Sequence, residues 1–322
     1  MQQVRLGQTA LKVSRVALGT WAFGGDWGSF DEQEAAGTIR RALELGVTFF
    51  DTAQGYGFGV SERLLGDTLW ASVRRDEVII ATKGGLRPTG ESLVRDASAK
   101  WIRSGVESSL RNLGTDYIDV YQVHWPDLHT PAEETAQVLE ALVSEGKIRH
   151  VGVSNYAPEE MDELAAHGRV ETLQPPYHMF HRDIEGEILA YTAKHDMGVL
   201  VYGPLAHGLL AGRMSPDTTF PPDDWRSHSP DFSGENFARN LQVVEQLKEF
   251  ARSRGVPLPQ LAVAWTIAHP EVHVAIVGAR RPEQLEALAP AADTTLTPPD
   301  MEQLEGILAG AVRVGGPSPE GM

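Results

Sequence analysis

Short apolar runs recur along the chain, separated by longer stretches whose apolar residues return every three or four positions. Short runs of this kind are typical of strands buried on both faces, and the longer stretches are typical of amphipathic helices. The pattern predicts eight buried strands, at residues 16–19, 47–50, 78–82, 117–124, 150–154, 170–174, 198–202 and 272–277.

Eight buried strands that alternate with helices predict an α/β fold, a parallel (β/α)8 barrel of the TIM type. A hairpin is expected before the first strand, and a C-terminal helix at 298–309 with Thr297 as its cap. Residues 130–133 are expected to form a capping box for the helix after strand four. An open doubly wound sheet is the alternative, but the first strand–helix turn lacks the G-x-G-x-x-G spacing of a dinucleotide-binding turn.

The 322 residues are expected to form a single domain, with a long loop at about 214–235 and a frayed tail at about 311–322. The net charge of −16 disfavours nucleic acid and anionic membranes as partners. The absence of cysteine excludes disulfides and thiolate metal sites. No apolar stretch reaches about 18 residues and the start lacks a signal core, so we expect a cytoplasmic protein without a membrane span.

Polar residues follow most of the predicted strands at the point where each strand ends. In a parallel barrel these ends share one rim, where function gathers. Taken singly, each residue is more often a cap, a packing residue or a solvated charge. Their common position favours a site instead, and Asp51, Lys83, His124 and the nearby Tyr56 are an acid, a base, an imidazole and a phenol that together can move a proton. No close-spaced ligand pair accompanies His124 and Asp51, so a metal is not expected.

Seven segments resemble the aldo-keto reductase family, and specifically bacterial members related to potassium-channel β subunits. They are DTAQGYGFGVSE (51–62), ATKGG (81–85), YQVHWPD (121–127), VGVSNY (151–156), LQPPYHMFHRDIE (173–185), VYGPLAHGLLAGR (201–213) and AIVGARRPEQ (275–284). The resemblance runs from about residue 4 to residue 288. It implies the eight-stranded barrel and the reduction of aldehyde or ketone carbonyls by NAD(P)H.

The four polar residues match the catalytic tetrad of that family. Hydride delivery leaves negative charge on the carbonyl oxygen, and Tyr56 could donate the proton. A free phenol has a pKa of about 10, which a neighbouring Lys83 ammonium would lower. Asp51 would keep Lys83 charged, and His124 would orient the carbonyl. A Schiff-base role for Lys83 is an alternative that Asp51 opposes, because the ion pair keeps the amine protonated.

The resemblance also implies cofactor contacts. Ser154, Asn155 and Gln174 match residues that bind the nicotinamide carboxamide, and Tyr202 matches the aromatic that stacks under the ring. Matches to the pyrophosphate loop and to the adenosine end comprise Gly203, Leu205, Gly208, Gly278, Arg280 and Gln284. The free N–H groups of the helix start after Arg280 are expected to receive a phosphate.

Two adjacent arginines, Arg280 and Arg281, favour NADP as the cofactor, with NAD as the alternative. The chain departs from the family at Ala287 and Leu288, which replace the Glu and Asn that commonly contact adenine. Adenine binding is therefore expected to be weaker or differently built.

Trp21 and Trp125 are candidate walls of the substrate pocket, and packing at the barrel end is their alternative role. The long loop is either a lid over the cofactor or a passive crossing.

The expected partner is a small carbonyl substrate, and the sequence leaves open whether the protein is a monomer or a homo-oligomer. A cofactor-bound, redox-sensing regulatory subunit with slow turnover is the alternative function.

Overall fold

The computed structural model describes residues 1–25, 30–90, 92–222 and 224–319. Its strands are β1 Gln3–Arg5, β2 Lys12–Ser14, β3 Val16–Gly19, β4 Phe49–Asp51, β5 Ile79–Gly84, β6 Leu86–Thr89, β7 Ser92–Arg95, β8 Ile118–Val123, β9 Ile148–Ser154, β10 Thr172–Gln174, β11 Gly198–Tyr202 and β12 Val274–Gly278. Its helices are α1 Glu32–Glu44, α2 Val60–Trp70, α3 Ala99–Leu113, α4 Ala132–Ser144, α5 Pro158–Ala165, α6 Glu187–Lys194, α7 Gly234–Ser253, α8 Leu258–Ala268, α9 Pro282–Leu288 and α10 Pro298–Leu308.

Eight parallel strands close into a barrel in the order β3, β4, β5, β8, β9, β10, β11, β12 and back to β3. This confirms the predicted (β/α)8 fold and excludes the open sheet. One apolar cluster fills the barrel interior, and a second, larger one lies between the strands and the surrounding helices. The interior cluster comprises Leu6, Val13, Ala17, Phe49, Ala81, Val120, Leu200, Val274 and Ile276.

The predicted N-terminal hairpin is present as the antiparallel pair β1–β2. It lies at the bottom of the barrel, where Leu6 is fully buried in the interior cluster. Gly7 has a positive φ of 47°, and a Cβ there would lie 2.3 Å from the backbone nitrogen of Gly198. The hairpin can therefore dock this closely against β11 only with glycine at this position.

A second hairpin, β6–β7, follows β5 and was not predicted from the sequence. It interrupts the βα rhythm between β5 and α3 at the functional end of the barrel. Its strands pair antiparallel from Leu86 with Arg95 to Thr89 with Ser92. Glu91, in the connection between them, lies outside the described residues.

The helix starts bear out one predicted cap and contradict another. Thr297 caps α10 by accepting from the Asp300 N–H, while Asp300 accepts from the Thr297 N–H at 2.9 Å. The capping box predicted at 130–133 is wrong: α4 begins at Ala132, and Pro131 precedes it without a side-chain cap. The Thr130 hydroxyl instead donates to Asp127 at 2.6 Å, within the loop after β8.

The segment predicted as a long loop, described apart from Asp223, contains short 3-10 turns at Trp225–Ser227 and Pro230–Phe232. Phe232 is buried and contacts the Trp225 ring at 5.6 Å. Helix α7 then begins at Gly234. The Trp225 ring also lies 4.9 Å from the ring of His207, after β11, so the segment packs on that loop through its aromatic residues.

The first part of the predicted frayed tail is held in place, which corrects that expectation. Val314 is fully buried and donates its N–H to the Phe180 carbonyl at 2.9 Å. Val312 exchanges two hydrogen bonds with Asn240, and the Gly315 N–H donates to Asp231 at 2.7 Å. In the sequence, isolated valines stand here among small and polar residues, and the residues that hold the tail are distant in the chain. Residues 320–322 of this prediction lie outside the described residues.

No helix of the described part of the chain is both long enough and apolar enough to cross a membrane.

Candidate active site

Three of the four residues predicted to be catalytic lie at the carboxyl ends of adjacent barrel strands. Asp51 ends β4, Lys83 lies near the end of β5, and His124 directly follows β8. The register pairs Asp51 with Ala81, so Lys83 lies two residues further along the neighbouring strand and faces the Asp51 carboxylate. The strand pattern that buries these strands thus also fixes the positions of the three polar side chains.

Lys83 is the centre of the group. Its Nζ donates to Asp51 Oδ1 at 2.6 Å, to the Thr52 carbonyl at 3.0 Å and to Tyr56 Oη at 3.2 Å. The side chains of Lys83 and Asp51 are 1% and 3% exposed. The predicted acid and base are therefore buried and form one hydrogen-bonded chain with the half-buried phenol.

Tyr56 reaches this position from a tight turn. The next three residues, Gly57, Phe58 and Gly59, all have positive φ, at 61°, 42° and 101°. A Cβ on Gly57 would lie 2.3 Å from the Gly24 carbonyl oxygen, so only glycine permits this approach. The Tyr56 ring lies 6.1 Å from the Trp21 ring and 5.9 Å from the His124 ring. Trp21 therefore contacts the predicted general acid.

The burial of the group shapes its protonation. Burial lowers the pKa of His124 well below its usual value, and the Lys83 charge adds to this effect, so the imidazole is neutral at pH 7. Burial also lowers the pKa of Lys83, while the carboxylates of Asp51 and Glu62 oppose that change. The site thus combines a neutral imidazole with an ammonium whose proton depends on neighbouring anions.

The residues predicted to bind the carboxamide join the same network. Gln174 Nε2 donates to Asp51 Oδ2 at 2.8 Å, and Ser154 Oγ donates to the Gln174 carbonyl at 2.8 Å. Asn155 Nδ2 donates to the His124 carbonyl at 3.1 Å. Tyr202 Oη donates to Asn155 Oδ1 at 2.8 Å. The two predicted sets therefore lie side by side on the barrel rim.

The loop after β11 contains three further predicted cofactor residues. Gly203 and Gly208 have positive φ values of 71° and 96°, and Leu205 between them is half-buried. Arg226 from the long segment donates to the His207 carbonyl at 2.8 Å. A Cβ on Gly208 would lie 3.3 Å from Arg226 Nη1, so the segment packs directly on this loop.

The exit of β12 is organised differently from the prediction. Gln284 Oε1 accepts from the N–H groups of Arg280 at 2.8 Å and Arg281 at 3.3 Å. Pro282 has no N–H, so few backbone donors remain for a phosphate at this helix start. Burial and the charge of Arg226 lower the pKa of Arg280. Side-chain cations, more than backbone N–H groups, therefore characterise this end of the site.

The other predicted pocket wall, Trp125, is half-buried beneath the Arg95 guanidinium, which lies 5.0 Å from its ring centroid. Trp125 thus contacts Arg95 of the β6–β7 hairpin, a residue outside the tetrad. No sequence pattern indicated a role for Arg226 or for Glu62. Both resemble solvated charges in the sequence, and only their long-range contacts distinguish them.

Within the described ranges, no group of three or more histidines and carboxylates is arranged to hold a metal ion.

The chain matches known proteins over nearly its whole length. Residues 15–309 match the model of the aldo/keto reductase family. The chain is 43% identical to the aldo-keto reductase YhdN of Bacillus subtilis (strain 168), across 97% of this chain and 95% of that protein. It is 34% identical to the NADH-specific methylglyoxal reductase of Escherichia coli (strain K12), with coverages of 93% and 96%. A probable voltage-gated potassium channel subunit beta of Arabidopsis thaliana is 32% identical, with coverages of 96% and 97%.

Among solved structures, the glycerol dehydrogenase AKR11B4 from Gluconobacter oxydans superimposes with a TM-score of 0.90 at 40% identity, covering 98% of each chain. The resemblance found in the sequence motifs is thereby confirmed, including its relation to channel β subunits. The match of fold, length and family model leads to one conclusion: this chain belongs to the aldo/keto reductase family.

Proposed function

We propose that this protein reduces aldehyde or ketone carbonyls to alcohols with a reduced nicotinamide dinucleotide, and that Tyr56 is the general acid. The observation that carries the proposal is the contact of Lys83 Nζ with both Asp51 Oδ1 and Tyr56 Oη. Such an arrangement provides a proton donor whose conjugate base has a cation beside it in a buried site.

Each of the four residues has a distinct task in this proposal. A reduced nicotinamide, when bound, would supply a hydride to the carbonyl carbon, and Tyr56 would donate its proton to the carbonyl oxygen. Lys83 stabilises the phenolate that Tyr56 leaves behind, because their polar atoms are 3.2 Å apart. Asp51 holds Lys83 in its protonated form by direct pairing. The neutral His124 ring lies beside the Tyr56 ring and orients the carbonyl oxygen by a hydrogen bond.

The rim residues fit a nicotinamide dinucleotide. Gln174, Ser154 and Asn155 carry the amide and hydroxyl groups that a carboxamide requires, next to Asp51. A Cβ on Gly278 would meet nothing within 4 Å, so there is open space at the exit of β12. Arg280 follows Gly278 by two residues, and Arg226 is close enough to lower its pKa, so two cations lie near each other at this end of the site, which suits an anionic cofactor. In this proposal Tyr202 stacks under the ring, and Trp21 and Trp125 border the substrate.

Substitution of Tyr56 by phenylalanine tests the proposal. We expect Tyr56→Phe to lower kcat for carbonyl reduction by about 100-fold or more, since a positioned proton donor contributes on this scale. Cofactor binding, measured by fluorescence titration, should remain. A panel of aldehydes, ketones and sugar-derived carbonyls would be followed by oxidation of the reduced cofactor.

The matched control is Tyr191→Phe, which removes a phenol that donates to Asp162 on the outer helices. Its kcat should equal that of the wild-type protein. Carbonyl reduction by Tyr56→Phe at the rate of the control would contradict the assignment of Tyr56.

The likeness to a channel β subunit supports a second candidate function, a cofactor-bound redox-sensing subunit. The turnover rate separates the two candidates, because a sensor retains its cofactor through slow turnover whereas an enzyme releases it. A rate constant near the usual range of about 1–1,000 per second on any carbonyl of the panel would support the reductase.

A further inference from the structure

Glu62 is a buried carboxylate for which the sequence pattern indicated no function. It lies in the first turn of α2, on the outer side of the barrel wall, and is 0% exposed. Its oxygens accept from Thr82 Oγ1 at 2.8 Å and from Asn112 Nδ2 at 3.0 Å. Both donors are neutral, and among the residues that the structure describes Glu62 forms no ion pair. An uncompensated buried carboxylate is costly, so its retention needs a reason.

The position of Glu62 connects it to the proposed catalytic group. Its donor Thr82 directly precedes Lys83 in β5, so the two neighbouring side chains point to opposite faces of the strand. Lys83 faces the site inside the barrel rim, and Thr82 faces Glu62 behind the wall. The Glu62 charge acts on Lys83 and raises the pKa of that ammonium against the effect of burial. Lys83 thus experiences two carboxylates, Asp51 in contact and Glu62 behind the strand.

From this arrangement we propose that Glu62 is a positioning residue, a second carboxylate that keeps the Tyr56–Lys83 pair protonated during reduction. The inference rests on the proposed function. The titratable groups around the pair are Asp51 of β4, His124 after β8, the Tyr202 phenol of β11 and Glu62 of α2. Around Glu62 lie the Tyr121 phenol of β8 and the neutral Asn112 of α3, which also accepts from the exposed Arg63.

The sign of the effect does not depend on which member of the pair releases its proton. Loss of a proton from either Tyr56 or Lys83 makes the pair more negative by one charge. A fixed anion nearby opposes that change, so Glu62 moves the ionisation of the pair to higher pH. Because the protonated pair is the active form in reduction, Glu62 extends activity toward alkaline pH.

The test is a titration of Glu62→Gln, which removes the charge and keeps the shape. The ionisation of the Tyr56 phenol is followed by ultraviolet tyrosinate absorbance, as the difference between each protein and its Tyr56→Phe counterpart. We expect the Tyr56 phenol to ionise about one pH unit lower in Glu62→Gln than in the wild-type protein. A shift of this size is on the scale of one charge acting across a protein interior. The alkaline limb of kcat/KM should move in the same direction.

Two variants separate charge from structure. Glu62→Asp keeps the carboxylate and should restore the ionisation close to its wild-type pH. Thr82→Val removes the hydrogen bond to Glu62 without removing the charge, and its ionisation should also stay close to wild type. If Glu62→Gln does not fold, the double variant Glu62→Met with Thr82→Val removes the carboxylate together with its donor and takes its place.

An ionisation that stays at the wild-type pH in the folded charge-removing variant would overturn the inference and leave Glu62 as a hydrogen-bonding link between α2, β5 and α3. The absorbance titration needs neither substrate nor cofactor, so it distinguishes the two proposals. Reduction that depends on Tyr56 together with an unmoved titration defeats only the role of Glu62. A moved titration in a protein that reduces no carbonyl defeats only the proposed function.

Discussion

Two cationic side chains, Arg226 and Arg280, lie close together at the rim of the site. Arg226 lies close enough to Arg280 for its charge to lower the pKa of Arg280, although the two residues are far apart in the chain. Arg226 is paired with Asp224 at 2.5 Å, which fixes its direction toward the loop after β11. Two neighbouring cations repel each other, and a phosphate group between them would relieve that repulsion. On this basis we propose that the protein binds NADPH more tightly than NADH.

Arg280→Ala tests this preference. We expect its dissociation constant for NADPH to rise by about 10- to 100-fold, the value of a charge-assisted contact to phosphate, while NADH binding changes little. Arg281→Ala is the comparison variant. Both arginines were expected to favour NADP, but the Arg281 side chain is 64% exposed and lies 3.5 Å from Glu34, so we expect the smaller effect there. The wild-type constants come from the same fluorescence titrations. Tighter binding of NADH than of NADPH by the wild-type protein would refute the preference, and a related reductase is NADH-specific.

Helix packing sets the position of Tyr56 and Glu62 at the scale of elements. Both residues belong to the segment that turns from β4 into α2, and α2 packs against α3. Gly66 lies at this crossing, where a Cβ would come within 2.4 Å of the Leu113 carbonyl oxygen. The obstacle is backbone of the neighbouring helix, which cannot rotate away. The two helices can therefore approach this closely only with glycine at position 66.

We expect Gly66→Ala to lower the free energy of unfolding by about 1–3 kcal/mol, the usual cost of overpacking. It should also lower kcat, because α2 directly follows the turn that positions Tyr56. Gly37→Ala on α1 is the matched control. A Cβ there meets only Pro282 Cγ at 3.7 Å, an ordinary contact. Alanine should leave stability unchanged or raise it by up to about 1 kcal/mol. Urea unfolding of both variants provides the measurement, and equal stabilities would count against the packing argument.

Buried histidines couple the stability of the whole molecule to pH. Burial lowers the pKa of His124, of His178 and of His207, the last to about 4. The unfolded chain binds protons on these rings below about pH 6.5, whereas the folded protein does not. Protonation of these rings therefore does not affect the free energy of unfolding above about pH 6.5. Below that pH the free energy of unfolding declines as the pH approaches the lower pKa values of the folded protein.

We expect the free energy of unfolding to fall between pH 6.5 and pH 4.5, by about 1.4 kcal/mol per pH unit for each of these histidines. His178→Gln should reduce that slope by the contribution of one histidine, about 1.4 kcal/mol per pH unit. Urea unfolding at several pH values provides the measurement. The control His167→Gln changes an exposed ring and should leave the slope unchanged. A slope that His178→Gln does not alter would contradict this account.

The sequence alone determined the barrel and the residues at its rim. Burial of parallel strands on both faces requires continuous apolar runs, and the eight runs correspond to the eight barrel strands, with bounds that shift by up to two residues. Polar residues directly after such runs must lie at the carboxyl end, which is why Asp51, Lys83 and His124 could be grouped before any coordinates. Local periodicity contains this information because a strand that is buried on both faces must itself consist of apolar residues.

Tertiary structure decided whatever depends on contacts between distant segments. The tail at Val314 and the second acid at Glu62 give no local signal, since small residues and helix-start carboxylates are ordinary surface features. The same holds for Gln284, whose side chain occupies the N–H groups that were expected to be free for a phosphate. Burial and hydrogen bonding of a polar side chain are set by its neighbours in space, and a periodicity along the chain does not contain them.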